Sequence, residues 1–199
     1  MLRGARRPSP DRGRPADLAP PRASAWSLLA NGLTLLRVAL VPVIGWLLVS
    51  GGRAARWWAF AIFGFAALTD SVDGWVARRL QGVTRWGQLA DPLADKALII
   101  GSLGVLAWRH ELPWLAVAII ALREAAVSLQ RVALVRRGLV MPASVYGKAK
   151  TLSQVLAVTL YLLPATPQVL RDVALWTAVV VTVASGLEYA RRGRSLQRG

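Results

Sequence analysis

The chain has 199 residues, 55% hydrophobic and 18% charged, with 25 Lys and Arg against 10 Asp and Glu and a formal net charge of +15. An apolar fraction this high excludes a disordered chain and stands above the norm for one soluble domain of this length. The absence of cysteine excludes disulfides, thiolate metal sites and a cysteine nucleophile together.

Residues 1–25 hold six arginines (Arg3, Arg6, Arg7, Arg12, Arg14, Arg22) and five prolines, with little that could pack a core. We expect a disordered basic tail, too long and polar for the n-region of a signal peptide, and no cleaved targeting segment. The chain then breaks into six apolar runs near the ~20 residues a membrane-spanning helix needs, roughly 28–50, 55–79, 89–108, 113–135, 149–164 and 169–189. Gly51-Gly52, Gln81-Gly82, Glu111-Leu112-Pro113, the segment 136–147 and the segment 164–167 punctuate them. None of the runs alternates as a barrel strand does, so helices are the way to satisfy their backbone in lipid. The expected architecture is all-α: a six-helix membrane domain over 26–190, the tail 1–25 before it and a short basic end, 191–199, after it.

The basic excess suits either nucleic acid or an anionic membrane. A nucleic-acid binder spreads its Lys and Arg over the surface, whereas a membrane protein confines them to loops. Outside the runs, seventeen fall on one side, in the tail, the 78–85 and 136–150 connections and the C-terminal end; Arg53, Arg56, Arg109 and Arg171 fall on the other. By the positive-inside rule both termini are cytoplasmic. Trp57, Trp58, Trp108 and Trp114 mark the outer boundary and Trp26, Trp75 and Trp86 the inner one. A nucleic-acid partner is disfavoured, because too much of the chain lacks a polar face. His110, the single histidine, sits beside Glu111 in an outer loop, where we expect it to be solvated.

Charges inside the runs cost about 2.5–3.5 kcal/mol each on insertion scales unless paired or facing water. They are Arg37, Asp70, Asp73, Asp91, Asp95, Lys96, Arg123, Glu124 and Arg131, all in the inner half or near the middle of their helices, which suggests one polar cavity opening inward. Asp70 and Asp73 share a helix face at the end of the second run, and Asp91 with Asp95 does so at the start of the third. Antiparallel helices joined by a short turn would aim four carboxylates at one volume, where they repel unless cations are bound. Hard oxygen donors without His or Cys favour Mg2+ or Mn2+, and four carboxylates can hold two ions. A missing side chain at Gly74 lets a ligand approach the helix, Ala77 keeps that face clear one turn on, and Arg78 offers a planar guanidinium to phosphate.

The full pattern, Asp70-x2-Asp73-Gly74-x2-Ala77-Arg78-x8-Gly87-x3-Asp91-x3-Asp95, resembles the signature of the CDP-alcohol phosphatidyltransferase family at every fixed position. The resemblance implies an integral membrane enzyme with six transmembrane helices, homodimeric, that transfers a phosphatidyl group from CDP-diacylglycerol to an alcohol and releases CMP. It further implies that Asp70, Asp73 and Asp91 ligate two divalent ions, that Asp95 touches the second ion and is the general base, and that Gly74, Arg78 and Thr84 contact the CDP moiety. Two ions on a diphosphate would neutralise its charge and stabilise the leaving nucleotide.

A second group of basic residues bears on the acceptor. Arg123 and Arg131, eight apart, lie roughly on one face of the fourth helix, and Lys148 and Lys150 begin the fifth at the same depth. With Arg136 and Arg137 nearby this suggests a second anion pocket, which suits an acceptor carrying its own phosphate. Asn31-Gly-Leu-Thr34-Leu-Leu-Arg37, Leu122-Arg123-Glu124, and Pro142-Ala-Ser144 followed by Gly147-Lys148-Ala-Lys150-Thr151 resemble the branch of the family that makes phosphatidylglycerophosphate, over roughly 28–163. On that resemblance Asn31, Thr34 and Arg37 line the nucleotide or phosphate cavity, and Arg123, Arg131, Ser144, Lys148 and Lys150 hold glycerol 3-phosphate. The expected setting is the plasma membrane, multi-pass, with the active site facing the cytoplasm. Alternatives are a cardiolipin synthase, a synthase using an inositol phosphate and, outside the class, a carboxylate-lined metal-ion transporter. A transporter needs polar groups in the outer halves too, and those are nearly all apolar.

Overall fold

The computed structural model describes residues 25–80, 85–136 and 145–196. Among these there are six helices and no strand: α1 (Ala25–Ser50), α2 (Arg53–Leu80), α3 (Arg85–Trp108), α4 (Trp114–Arg136), α5 (Val145–Leu162) and α6 (Gln168–Leu196). The helices match the six apolar runs, but α3 and α5 start about a turn earlier and α6 runs on to Leu196. Apolarity marks where lipid or core is met, whereas backbone hydrogen bonding continues through the polar flanks.

The described turns have local causes. Ser50 Oγ donates to Leu47 O at 2.9 Å, and Gly51 and Gly52 follow with φ of 76° and 89°, a left-handed path that reverses the chain into α2. After α3, His110 takes φ 56°; its N–H bonds Ala107 O and the Glu111 N–H bonds Leu106 O, both at 3.0 Å, a left-handed cap closed before Pro113. Short connections of this kind make consecutive helices antiparallel. The starts of α1, α3 and α5 therefore share one end of the bundle with the ends of α2, α4 and α6.

α1 packs chiefly on α3 and α2, and α6 on α5 and α4. The α1–α3 seam depends on small residues: a Cβ added at Gly101 would stand 2.5 Å from Val41 Cγ1, and one at Gly45 3.3 Å from Val105 Cγ2. Among the described residues, the core includes Ile44, Leu48, Phe63, Leu103, Leu106 and Tyr161, toward the described turns. The outside is also apolar, with Leu122, Leu129 and Leu152 each 71% exposed and Trp58 65% exposed, while Arg37, Glu124, Lys150 and Gln154 are buried. Water does not accommodate so much contiguous apolar surface, and lipid does. Among the described residues, one helix, Gln168–Ser195, is by itself long and apolar enough to cross a membrane; Leu35–Ser50 and Lys96–Trp108 are shorter apolar stretches.

Candidate active site

Of the motif residues, Asp70, Asp73, Gly74, Ala77 and Arg78 fall in the last turns of α2, and Gly87, Asp91 and Asp95 in the first half of α3. Helical spacing of three and four puts each aspartate pair on one face of its own helix. The side chains of the six that are not glycine lie outside those described, as do those of Asn31 and Thr34 in the opening turns of α1. Thr84 and Ser144 lie outside the described residues altogether. Among the described residues, no three His, Cys, Asp or Glu come together as a metal site. The donor set of the motif nonetheless fits hard divalent cations, since it consists of carboxylates alone on consecutive helices.

The described side chains at this end form one network around Glu124 on α4, which is 4% exposed. Lys150 Nζ, from α5, donates to Glu124 Oε1 at 2.7 Å, and Arg123 NH1 donates to the same oxygen at 3.0 Å. Lys96 of α3, next in sequence to Asp95, has its Nζ 3.8 Å from Glu124 Oε2 and also donates to Ser128 Oγ. Arg123 NH2 reaches across to Ser185 Oγ on α6 at 2.8 Å, and Gln154 Nε2 of α5 donates to Thr182 Oγ1 at 2.8 Å. Gly186 makes room for Arg123: a Cβ there would stand 3.1 Å from its Cγ and 3.2 Å from its Nε. Four helices are thus tied through one carboxylate.

Among the described residues, three cations, Lys96, Arg123 and Lys150, share this one carboxylate in a largely buried volume. Glu124 is the carboxylate that both Lys150 and Arg123 contact, and it is what allows the two cations to be buried there. Arg37, from α1, is 4% exposed and adds a further buried cation to the bundle.

Among the basic residues expected to act together, Arg123 and Lys150 converge on Glu124. Lys148, two residues before Lys150 on α5, is exposed. Arg131 is exposed as well, its guanidinium carbon 6.0 Å from the centroid of the Tyr189 ring. Spacing alone missed Gln154, Thr182, Ser185 and Gly186; the polar Thr182 and Ser185 inside the apolar run of α6 were the available signal.

At the opposite end, Glu111 in the loop after α3 is held in a second network. Arg56 NH1 donates to its Oε1 at 3.3 Å, Arg56 NH2 pairs with its Oε2, and Arg109 Nε donates to Oε1 at 2.8 Å. Arg56 also donates to Tyr161 O at 2.7 Å, and Arg109 to Leu48 O, so the pair stitches α1, α2, α3 and α5. Burial pushes the Glu111 carboxyl up, but hydrogen bonds and charge from Arg56 and Arg109 outweigh it and hold the group below the ordinary 4.5. His110 beside it is exposed.

The family model for CDP-alcohol phosphatidyltransferase matches residues 27–184. A probable phosphatidylglycerophosphate synthase of Mycobacterium tuberculosis is 43% identical over 169 residues, covering 82% of this chain and 80% of the relative. A CDP-diacylglycerol--glycerol-3-phosphate 3-phosphatidyltransferase of Bacillus subtilis is 38% identical over 179 residues, 81% of this chain and 92% of the relative. A CMP-forming cardiolipin synthase of Streptomyces coelicolor is 36% identical over 141 residues, 68% of this chain and 65% of the relative.

Proposed function

The chain belongs to the CDP-alcohol phosphatidyltransferase family, and we propose that it transfers the phosphatidyl group of CDP-diacylglycerol to glycerol 3-phosphate, releasing CMP and forming phosphatidylglycerophosphate. The observation that carries this reading is the unbroken aspartate motif on consecutive helices at the bundle end where Lys96, Arg123 and Lys150 gather. The relatives whose names state glycerol 3-phosphate as acceptor are covered over more of their length than the cardiolipin synthase, which favours glycerol 3-phosphate.

Members of the family are integral membrane proteins and depend on divalent metal. In this chain Asp70, Asp73, Asp91 and Asp95 would hold two ions, Mg2+ or Mn2+. When bound, these supply charge neutralisation for the diphosphate and a stabilised leaving group. Asn31, Thr34, Arg37, Gly74, Ala77, Arg78, Thr84 and Gly87 bind the nucleotide and diphosphate. Arg78 provides a charge-assisted contact to phosphate, and the two glycines leave the backbone approachable. Arg123 and Lys150, oriented by Glu124, receive the acceptor's phosphate, while Arg131, Ser144 and Lys148 belong to its approach at the same end of the bundle. An acceptor hydroxyl attacks the phosphatidyl phosphorus; its oxygen forms the new O–P bond, the bond to CMP breaks, and the hydroxyl proton passes to Asp95.

The membrane arrangement completes the reading: six spans in the plasma membrane, both termini and the aspartates on the cytoplasmic side, and a homodimer as the assembly. The distribution of basic residues and the apolar exterior of the helices support it. Purified enzyme supplied with CDP-diacylglycerol, Mg2+ or Mn2+ and a panel of phosphorylated and neutral alcohols should yield phosphatidylglycerophosphate by mass spectrometry. Cardiolipin from phosphatidylglycerol would replace the proposed acceptor, and no lipid product from any alcohol would end the transferase reading.

A further inference from the structure

The end of the bundle away from the aspartates holds a cavity of about 250 Å3, walled by Arg53, Arg56, Arg109 and Arg171 with Gly51 and Gly52 beside them. These are the four basic residues that the charge distribution sets apart from all the others outside the spans, and all four come to one place. No acidic side chain lines the cavity. Glu111 compensates Arg56 and Arg109 from behind. Asp172, next to Arg171, instead accepts from Tyr161 Oη at 2.8 Å and Gln168 Nε2 at 2.9 Å.

Arg53 and Arg171 are therefore not neutralised by an ion pair among the described residues. Arg53 is exposed, and Arg171 makes one long bond, 3.4 Å, to Leu163 O while its buried Nε has no partner. The N-terminus of α2 opens here as well. Its 28 residues begin at Arg53 with no acid in the first turn, and Gly52 has no side chain to cap it. The first helical N–H groups thus have neither an intrahelical acceptor nor a side-chain one. A Cβ at Gly51 or Gly52 would meet nothing within 4 Å, so the opening beside them is clear.

We infer that this cavity is a second anion site, which takes one phosphate group between Arg53 and Arg171 over the N-terminus of α2. Guanidinium forks and helix N–H groups both suit phosphate oxygens. The volume falls below the ~300–1,000 Å3 of pockets for drug-sized ligands, which limits the guest to a headgroup-sized anion. Arg53 stands 17 residues along α2 from Asp70, about 25 Å at 1.5 Å per residue, so the site is separate from the motif. The phosphate can belong to a lipid headgroup or be free in solution.

The test uses the full-length chain, wild type against Arg53→Gln/Arg171→Gln, with Arg191→Gln as an exposed basic control at the other end. One arm measures retention of phosphatidylglycerol over phosphatidylcholine by native mass spectrometry. The other measures the rise in melting temperature with inorganic phosphate in phosphatidylcholine nanodiscs. In one arm the double variant should bind about tenfold more weakly, equivalent to about 1.4 kcal/mol, and that arm identifies the source. The control should match wild type, and CMP release should be kept. If the double variant fails to fold, Arg53→Gln alone, at an exposed and unpaired position, should weaken the same binding about threefold. Binding unchanged in both arms, or lowered equally by Arg191→Gln, overturns the site and leaves the transferase reading untouched.

Discussion

The two ends of the bundle use the same materials, arginine or lysine against a single glutamate, but find different partners beyond it. Around Glu111, two arginines share one carboxylate and each makes one further bond to a carbonyl at a helix end, Arg56 to Tyr161 O and Arg109 to Leu48 O. That arrangement locks four helices and is largely closed. Around Glu124, three cations from three helices share one carboxylate, and the partners beyond it are side-chain hydroxyls, Ser128 and Ser185. A hydroxyl can exchange partners at little cost, whereas a carbonyl at a helix end belongs to the frame. The Glu111 network fastens side chains to helix ends, and the Glu124 network joins side chains to side chains.

The largest effect should come from the aspartates beside the Glu124 network. Asp95→Asn should lower CMP release by about 10²- to 10⁴-fold, the range for loss of a general base, and Asp91→Asn should abolish it, with expression and melting temperature close to wild type. Chelation of divalent ions by EDTA should reproduce the loss in the wild type, and Mg2+ or Mn2+ should reverse it. A variant at either position with full activity would detach the motif from the chemistry.

Next is Glu124→Gln. Removing one partner of a buried pair costs about 3–5 kcal/mol, and here it releases Lys150 and Arg123 together. A lowered melting temperature in detergent should be accompanied by a raised KM for glycerol 3-phosphate, with the KM for CDP-diacylglycerol changed less. A fall in stability with both constants unchanged would make this network purely structural, like its counterpart at the other end.

Glu111→Gln should cost less, about 1–3 kcal/mol, because its pair is partly solvated. Its carboxyl is held below the ordinary 4.5, so its contribution is complete above that pH and is lost as the pH falls through the lowered value. The gap in melting temperature between wild type and Glu111→Gln should accordingly be full at neutral pH and close in acid. A gap constant with pH would show that the ion pair contributes nothing.

The smallest effect should be that of Gly186→Ala, about 1 kcal/mol, because the new methyl group displaces the Arg123 stem. KM for glycerol 3-phosphate should rise severalfold. An unchanged KM would mean that Arg123 tolerates displacement.

How much of this was legible in the sequence follows from what each feature depends on. The helices and the pairing of Asp70 with Asp73 and of Asp91 with Asp95 rest on runs and spacings within a few turns, which a sequence displays directly. Lys150 and Arg123 could be picked out as buried cations, but their meeting at Glu124 depends on how α4 and α5 rotate against each other. No local pattern records that rotation. Glu111 reads as a loop carboxylate beside an exposed histidine, because its partner Arg56 lies 55 residues away on another helix. Lys148 and Lys150, alike in the sequence, part company because positions two apart on a helix face nearly opposite ways.

The bare backbone at Gly101, seated against Val41, has a mechanical outcome. Two rods that touch at such a notch cannot slip lengthwise past one another, so the first and third helices behave as a single keel. A larger residue at Gly101 would wedge this joint open.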